Sequence, residues 1–276
     1  MNLAGMEIIG HSISGSSTCL VLPAEKLVLD LGYPEEAAFR CPTVLISHPH
    51  VDHIASMAWH CSLRDLMRMP EPTYIVPPEI VGDVQGLLDA WRKLDKSPFP
   101  CKVVGLAPGA RMPVGKGLQA QAFRTPHRAV ASQGYALFRT KSKLKAEFAG
   151  VDGQEIGRLK RSGVQVTDEV ETLELAWTSD TKAEIFEQEP WILQAERLIL
   201  ESTFVTDENS IEEAKLKGHT HLKEIIARAD QLTVPKSILL THFSARYVDW
   251  EIPKAMEQLP EGLKDRVQWI TKGLKS

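Results

Sequence analysis

Four short apolar runs, each stopping at a polar or charged residue, constrain the fold of this 276-residue chain most strongly. They are rich in Leu, Ile and Val, as is typical of strands buried on both faces of a sheet. Loops leaving one edge of an open α/β sheet converge, so the residues after these strands can share one site. The runs are Thr43-Val44-Leu45-Ile46 before Ser47-His48, Leu173-Glu174-Leu175-Ala176-Trp177 before Thr178-Ser179-Asp180, Leu198-Ile199-Leu200 before Glu201, and Ser237-Ile238-Leu239-Leu240 before Thr241-His242.

The segments between these strands predict helices, because their apolar residues recur at helical spacing over 54–69, 78–94 and 211–229. The N-terminal third alternates apolar and polar residues and predicts a β-meander with a Gly/Ser turn at 14–17. Length and composition fit one α/β domain over 1–276.

The composition limits the possible binding partners of the protein and its cellular compartment. The net charge of −4 gives the whole chain no attraction for nucleic acid, whereas residues 139–161 hold seven basic and three acidic side chains. That stretch is either a solvated surface or an edge that faces phosphates. No apolar run is long enough to span a bilayer, the first residues lack a signal-peptide pattern, and the four cysteines form no C-x-x-C pair. We therefore predict a cytoplasmic protein with reduced thiols and no membrane partner.

The stretch His48-Pro49-His50-Val51-Asp52-His53 follows the first of these strands and predicts a metal site. Residues two apart in an extended segment point the same way, so His48 and His50 can hold one metal. Asp52 and His53 face differently and suit a second metal. The residues that could complete the set lie after other strands: His127, His242 and Asp180, whose carboxylate could bridge both ions. Two metals about 3.5–4 Å apart can share a hydroxide that attacks phosphorus.

Several further motifs together resemble those of ribonuclease Z, the tRNA 3′-processing endonuclease branch of the metallo-β-lactamase superfamily. Thr241-His242-Phe243-Ser244-Ala245-Arg246-Tyr247 is the most specific of them, since the histidine motif alone marks only the superfamily. The remaining matches are Glu201-Ser202-Thr203-Phe204, Lys217-Gly218-His219-Thr220, Ser179-Asp180-Thr181, and His127-Arg128 followed by Gly134-Tyr135.

The resemblance implies a four-layer αβ/βα sandwich and a dinuclear zinc site, with manganese or iron as alternative ions. It assigns His48, His50 and His127 to one zinc, Asp52, His53 and His242 to the other, and Asp180 to both. It also implies that Asp52 orients or deprotonates the attacking water and that His219, supported by Glu201, assists the leaving oxygen. Ser244, Arg246 and Tyr247 would contact a phosphodiester substrate, possibly RNA, in a homodimer.

Other interpretations stay open for three of these residues. Glu201 could cap a helix or pair with a surface lysine, His219 could lie on a helix surface, and Arg246 could form a buried salt bridge. Three other histidines are not expected to bind metal. His60 would pack beside the site or face solvent, and His11 and His221 have no neighbours typical of ligands.

The chain departs from the ribonuclease Z pattern in its middle. Residues 134–180 are too few for the family's long tRNA-gripping arm, so 139–166 is interpreted as a reduced, arm-like insertion. Ser56 replaces a family glycine, and Trp59-His60 is unusual. We therefore predict a zinc-dependent phosphodiesterase of the ribonuclease Z type, acting on RNA 3′ ends or smaller phosphodiesters. The alternatives are another metallo-β-lactamase-fold hydrolase, of thioesters, lactones or β-lactams, and a metal-bound binding protein without catalysis.

Overall fold

A computed structural model describes residues 1–115, 117–128 and 130–273 and shows two β-sheets packed face to face between outer layers of helices. A small hairpin, β1 (Asn2–Leu3) and β2 (Met6–Glu7), precedes them. Within the described residues the first sheet has seven strands in the order β15-β3-β4-β5-β6-β7-β8. Its bounds are β3 Ile9–Ser14, β4 Ser17–Leu22, β5 Leu27–Leu29, β6 Thr43–Leu45, β7 Thr73–Val76, β8 Lys102–Gly105 and β15 Phe243–Ser244.

The second sheet, also seven-stranded over the described residues, has the order β16-β14-β13-β12-β11-β10-β9. Strands β9 to β12 are antiparallel and β12, β13, β14 and β16 are parallel. Their bounds are β9 Arg111–Gly115, β10 Leu118–Arg124, β11 Gln133–Leu144, β12 Thr167–Trp177, β13 Arg197–Glu201, β14 Ser237–Thr241 and β16 Val267–Trp269.

Helices cover the outer face of each sheet. The α-helices are α1 Val51–Ile54, α2 Met57–Leu66, α3 Val81–Asp95, α4 Gly153–Arg161, α5 Ile185–Gln188, α6 Ile211–Lys217, α7 Leu222–Ile226, α8 Glu251–Met256 and α9 Glu261–Lys264. Short 3₁₀ helices occupy Glu36–Arg40, Pro78–Ile80, Ala146–Phe148, Pro190–Gln194 and Ala229–Gln231. No helix of the described residues is long and apolar enough to cross a membrane.

Alternation along single strands explains the four layers. In β4, Cys19 and Val21 pack against α1 to α3, whereas Leu20 and Leu22 pack against the second sheet. In β13, Ile199 faces the first sheet, and its neighbours on either side face the helices after β12. Successive side chains of a strand point to opposite faces, so each sheet has two apolar faces to bury. The predicted αβ/βα sandwich is confirmed.

The helix predicted over 211–229 was wrong as a continuous element. It breaks after Lys217, because Gly218 adopts a left-handed conformation with φ of 82° and caps α6. The chain then turns through His219 and restarts as α7, whose N-cap is His221. His219 consequently lies in a loop between two helices, and its predicted alternative as a helix-surface residue was wrong.

The basic stretch 139–161 runs along β11 and then through α4, on the surface. At its root, Arg139 and Lys141 both pair with Glu174, at 2.8 and 2.6 Å. No residue from 142 to 161 is fully buried, and Arg158 in α4 pairs with Glu155. Part of the positive charge is thus neutralised within the fold, and the remainder faces solvent.

Candidate metal centre and active site

Three histidine rings converge at the end of β6 and the end of β10. His48 Nε2 lies 2.9 Å from His50 Nδ1, and His127 Nε2 lies 3.4 Å from the same atom. Nitrogens bound at 2.0–2.1 Å to one tetrahedral zinc are about 3.3 Å apart. The three nitrogens therefore have the spacing of ligands to one ion.

A second cluster lies beside the first. Asp52 Oδ2 is 3.4 Å from His53 Nε2 and 4.0 Å from His242 Nε2. Asp52 also accepts a hydrogen bond from Gly15 N at 3.0 Å, in the predicted Gly/Ser turn. These three side chains offer ligand atoms that all lie within 4.8 Å of one another.

Asp180 lies between the clusters. Its Oδ2 is 3.8 Å from His48 Nε2 and 3.6 Å from His53 Nε2, and its Oδ1 is 3.2 Å from His242 Nε2. One carboxylate thus reaches both groups, in the position expected of a bridging ligand. The structure brings together all seven residues predicted as ligands.

The hydrogen bonds behind His48 fix which of its nitrogens faces the site. Ser47 has one hydroxyl proton, which it donates to Asp30 Oδ2 at 2.7 Å. His48 Nδ1, 2.9 Å from the Ser47 oxygen, must therefore be the donor of that contact. This leaves the lone pair of His48 Nε2 for the site.

His242 is fixed in the same way. The Thr203 hydroxyl donates to Glu201 Oε2 at 2.7 Å, so His242 Nδ1 donates to Thr203 Oγ1 at 3.0 Å. His53 Nδ1 bonds Asp30 Oδ2 at 2.5 Å. The outward Nε2 atoms of His53 and His242 are buried and have no hydrogen-bond partner among the described residues. Buried polar atoms without partners are costly, and a cation would satisfy both.

The pKa values of most predicted ligands agree with neutral imidazoles, but, although burial opposes them, Asp180 and Asp30 raise the pKa of His53 well above its ordinary value. Burial, aided by the neighbouring imidazoles, lowers the pKa of His48 and of His242 well below the ordinary value. Burial also lowers the pKa of His127 to about 4, and it raises the pKa of Asp180 to about 7 against the opposing effect of His53. Metal binding needs neutral imidazoles and an ionised carboxylate, and a cation would supply the missing preference for the charged Asp180. The residues therefore fit divalent ions.

Asp30 has a role that the sequence motifs did not reveal. It is fully buried, with φ of 57°, and accepts hydrogen bonds from Ser47 N at 2.8 Å, from the Ser47 hydroxyl and from His53. A carboxylate behind a ligating histidine fixes the ring and raises its basicity. Its position directly after the apolar run 27–29 was the available signal, since the other site residues also follow strands.

Hydrogen bonds hold α1, which carries Asp52 and His53, against the loop after Asp30. Leu31 N donates to His53 O at 2.7 Å, and Ser56 donates through both its N and its hydroxyl to the 31–32 backbone. A Cβ on Gly32 would lie 2.1 Å from Asp52 O, so only glycine allows this approach. Ser56, the departure from the family glycine, therefore ties α1 and α2 to this loop.

Gly218 positions two histidines at once. Its carbonyl accepts a hydrogen bond from His127 Nδ1 at 2.7 Å, which directs His127 Nε2 into the first cluster. A Cβ here would lie 2.6 Å from Arg128 Cγ and 3.1 Å from His127 Nδ1. The left-handed turn at Gly218 also carries the chain into His219, whose ring lies 5.0 Å from that of His127.

The Glu201 carboxylate is buried and accepts four hydrogen bonds. Its Oε1 accepts from His219 Nδ1 at 2.9 Å and from Thr181 N at 3.0 Å, and its Oε2 accepts from Thr203 N and Oγ1. It neither caps a helix nor pairs with a lysine, so those alternatives were wrong. Although burial opposes it, the Glu201 charge raises the pKa of His219 above its ordinary value. His219 is thereby suited to hold a proton near the clusters.

A cavity of about 360 Å³ opens over the two clusters. Ser244 and Arg246 line it, and Arg246 is exposed, so its alternative as a buried salt-bridge residue was wrong. Tyr247 does not line this cavity: its ring is buried, and its hydroxyl accepts a hydrogen bond from Val205 N at 3.1 Å. Its predicted substrate contact is corrected to a structural contact, because the chain turns inward after Arg246. Arg128 and Lys217 add two cations at the rim, which sequence motifs had marked only as neighbours of His127 and His219.

The other histidines are structural. His60 is buried and bonds the Tyr74 hydroxyl and Ala38 O, as a packed residue would. His11 bonds Glu35 and Ser17. His221 caps α7. None of the three belongs to the groups of side chains that could hold a metal in the described parts of the chain.

The fold and the site together define the class of protein. It is a sandwich of the metallo-β-lactamase type with histidine and aspartate clusters suited to divalent ions. The model of the Beta-lactamase superfamily domain matches residues 32–243. The chain is 40% identical to tRNase Z TRZ1 of Arabidopsis thaliana, over 99% of this chain and 98% of that protein. It is 33% identical to the chloroplastic tRNase Z TRZ2 of the same plant, over 100% and 78%. The crystal structure of human tRNase Z, short form, has the same fold, with a TM-score of 0.59, 16% identity and coverage of 96% and 95%.

Within this superfamily, the chain belongs to the tRNase Z family. The predicted class of enzyme, a metal-dependent phosphodiesterase of the endoribonuclease type, is confirmed.

Proposed function

We propose that this protein removes the 3′ trailer of precursor tRNA by cleaving one phosphodiester bond, with two divalent ions, normally zinc, in the centre. The observation that carries the metal centre of this proposal concerns the Nε2 atoms of His53 and His242. Both atoms are buried, have no hydrogen-bond partner in the described chain and point at Asp180. His48, His50 and His127 would hold one ion, and Asp52, His53 and His242 the other. Such ions supply Lewis acidity and lower the pKa of water when bound.

Side chains of this protein would then orient the attacking water, bind the phosphates and transfer protons. Asp52, anchored by Gly15 N, would orient the attacking water and take its proton. His219, held by Glu201, would donate a proton to the leaving oxygen or stabilise charge on phosphorus. Arg246, Arg128 and Lys217 at the cavity rim would bind phosphates on either side of the scissile bond.

The short middle segment agrees with a tRNA substrate. Residues 134–180 are too few for a long arm, yet TRZ1, a protein named as a tRNase Z, aligns with this chain over 98% of its own length. The compact hairpin of β11 and β12 with α4, which carries the basic surface, would then be the full extent of this insertion. A homodimer remains a prediction. So does the cytoplasmic location, since the relative TRZ2 is named as chloroplastic.

Three substrates distinguish this function from its alternatives. Protein loaded with zinc would be assayed on a precursor tRNA with a 3′ trailer, a chromogenic bis-aryl phosphodiester and a lactone, and its metal content measured. We expect about two ions per chain, cleavage of both phosphodiesters and little lactone turnover. Lactone hydrolysis without phosphodiester cleavage would refute the proposal.

The matched pair of variants is Asp52→Asn and Asp230→Asn. Asp230 lies exposed on the 3₁₀ helix Ala229–Gln231, away from the cavity. The first variant should lose phosphodiester turnover by at least about 100-fold, as expected of a residue that orients the nucleophile, and the second should lose none. Equal activity of the two variants would contradict the role of Asp52.

A further inference from the structure

Two of the four cysteines, Cys61 and Cys101, lie near each other in the core between the first sheet and its helices. Cys61 is fully buried on α2, and Cys101 is half-buried just before β8. The Cys61 thiol donates a hydrogen bond to the carbonyl oxygen of Pro100 at 3.3 Å, so it lies against the peptide group that joins Pro100 to Cys101. The two thiols are thus neighbours in space although forty residues separate them in the chain.

The guanidinium group of Arg92 contacts Cys101 and the loop before it. Arg92 Nη2 donates to Cys101 Sγ at 3.3 Å and to Phe99 O at 2.8 Å, and its Nε donates to Pro98 O at 2.9 Å. Arg92 thereby holds the loop before Cys101 against the C-terminal end of α3. A cation beside a thiol favours the thiolate, which is the nucleophilic form of cysteine.

The charges around the pair have opposing effects. The neighbouring Cys61 thiol and then Arg92 lower the pKa of Cys101, while burial and Glu71 raise it. The neighbouring Cys101, with burial and Asp65, raises the pKa of Cys61. The first proton therefore leaves Cys101, and Cys61 stays protonated.

The environment of the other two cysteines differs from that of Cys101. Burial raises the pKa of Cys19 to about 12 and that of Cys41 to about 11. Both are packed in the core between the first sheet and its helices. They are inert internal references for the reactivity of Cys101.

We propose that Cys101 and Cys61 form a peroxide-reactive thiol pair, in which Cys101 is the attacking sulfur, Cys61 the resolving sulfur and Arg92 the positioning residue. The oxidant is a small hydroperoxide. The Cys101 thiolate attacks one peroxide oxygen, an S–O bond forms as the O–O bond breaks, and the hydroxide that leaves takes up the proton released by Cys101 and becomes water. The Cys61 sulfur then attacks Cys101, the S–O bond breaks, and the departing hydroxide takes the Cys61 proton as water. Two thiols are oxidised to a disulfide, and one peroxide is reduced to two waters.

This chemistry is separate from the proposed nuclease reaction. No cysteine belongs to the possible metal-binding groups of the described residues, so the thiols do not compete for the ions. The disulfide would join α2, which directly follows the helix that bears Asp52 and His53, to the segment that leads into β8. It would connect two elements of the helical layer behind the metal centre.

Site-resolved alkylation tests the pair on the full-length, zinc-loaded protein. The folded protein is treated with iodoacetamide over a range of pH, and each cysteine peptide is quantified by mass spectrometry. Cys101 should react at least about tenfold faster than Cys41 and Cys19 at pH 7, with a midpoint about one unit below that of the unfolded chain. Equal rates for Cys101 and Cys41 would overturn the proposal.

Oxidation with one equivalent of hydrogen peroxide tests the second step. The wild-type protein should yield the Cys61–Cys101 disulfide, with Cys19 and Cys41 still reduced. Cys61→Ser should stop at a sulfenic acid on Cys101 that dimedone traps, Cys101→Ser should leave Cys61 reduced, and Cys41→Ser, the matched control, should behave as wild type. A disulfide that involves Cys41 or Cys19, or no disulfide at all, would refute the pairing.

Discussion

Replacing Asp30 with asparagine tests whether one buried carboxylate holds the second metal cluster in place. Asp30 accepts three hydrogen bonds of 2.8 Å or less: Ser47 N on Oδ1, and the Ser47 hydroxyl and His53 Nδ1 on Oδ2. Asparagine has the same shape but offers only one acceptor oxygen. Whichever way its amide turns, an NH₂ group faces at least one donor.

The cost follows from this mismatch. The better orientation keeps the oxygen toward His53 and leaves Ser47 N without an acceptor, which costs about 1–3 kcal/mol for a buried donor. The two remaining bonds lose their charge assistance and about half their strength. We therefore expect a loss of about 2–4 kcal/mol in the free energy of unfolding of the metal-free protein. Loss of such a partner behind a ligating histidine lowers metal affinity by about 10–100-fold.

The assay is competition for zinc with a chromophoric chelator. The wild-type protein should hold two ions, and Asp30→Asn should hold one tightly and one weakly, because His48, His50 and His127 do not contact Asp30 directly. Glu174→Gln is the matched control: Glu174 is also buried, but it pairs with Arg139 and Lys141 away from the site. It should lower stability and leave zinc binding unchanged. Two ions bound by Asp30→Asn with wild-type affinity would refute the reasoning.

Three further substitutions test other parts of the site and the core. Gly218→Ala should destabilise the protein by at least about 1–2 kcal/mol, because φ of 82° is unfavourable for alanine, and should weaken zinc binding through His127; denaturant unfolding and chelator competition measure both. His219→Ala should lower phosphodiester turnover by about 10²–10⁴-fold at unchanged zinc content, and loss of zinc would instead make His219 a ligand. His60→Gln should reduce acid sensitivity. Burial lowers the pKa of His60 to about 4, so the unfolded chain binds the proton first and stability falls as pH drops below 6.5. That contribution is about 2 kcal/mol between pH 7 and 5, and unfolding curves at both pH values should show its absence in the variant.

Much of the fold could be predicted because its signals are local. The apolar runs before His48, Asp180, Glu201 and His242 gave the strands and their common edge, since strand periodicity depends only on neighbouring residues. The helix over 211–229 failed because a single glycine ended it. Lys217 and His221 both fit a helical pattern, and only the contact of Gly218 with His127 requires the turn between them.

The sequence by itself predicted a metal site, because three histidines and an aspartate within six residues need no long-range information to be recognised. The tertiary structure decided which nitrogen of each ring faces the site. That choice depends on where single protons go: from Ser47 to Asp30 across 17 residues, and from His242 to Thr203 across 39. It also placed Tyr247 inside the fold and Cys61 beside Cys101. Contacts of this kind arise only when distant strands and helices pack, because no pattern of neighbouring residues encodes a hydrogen bond between elements that meet only in the folded chain.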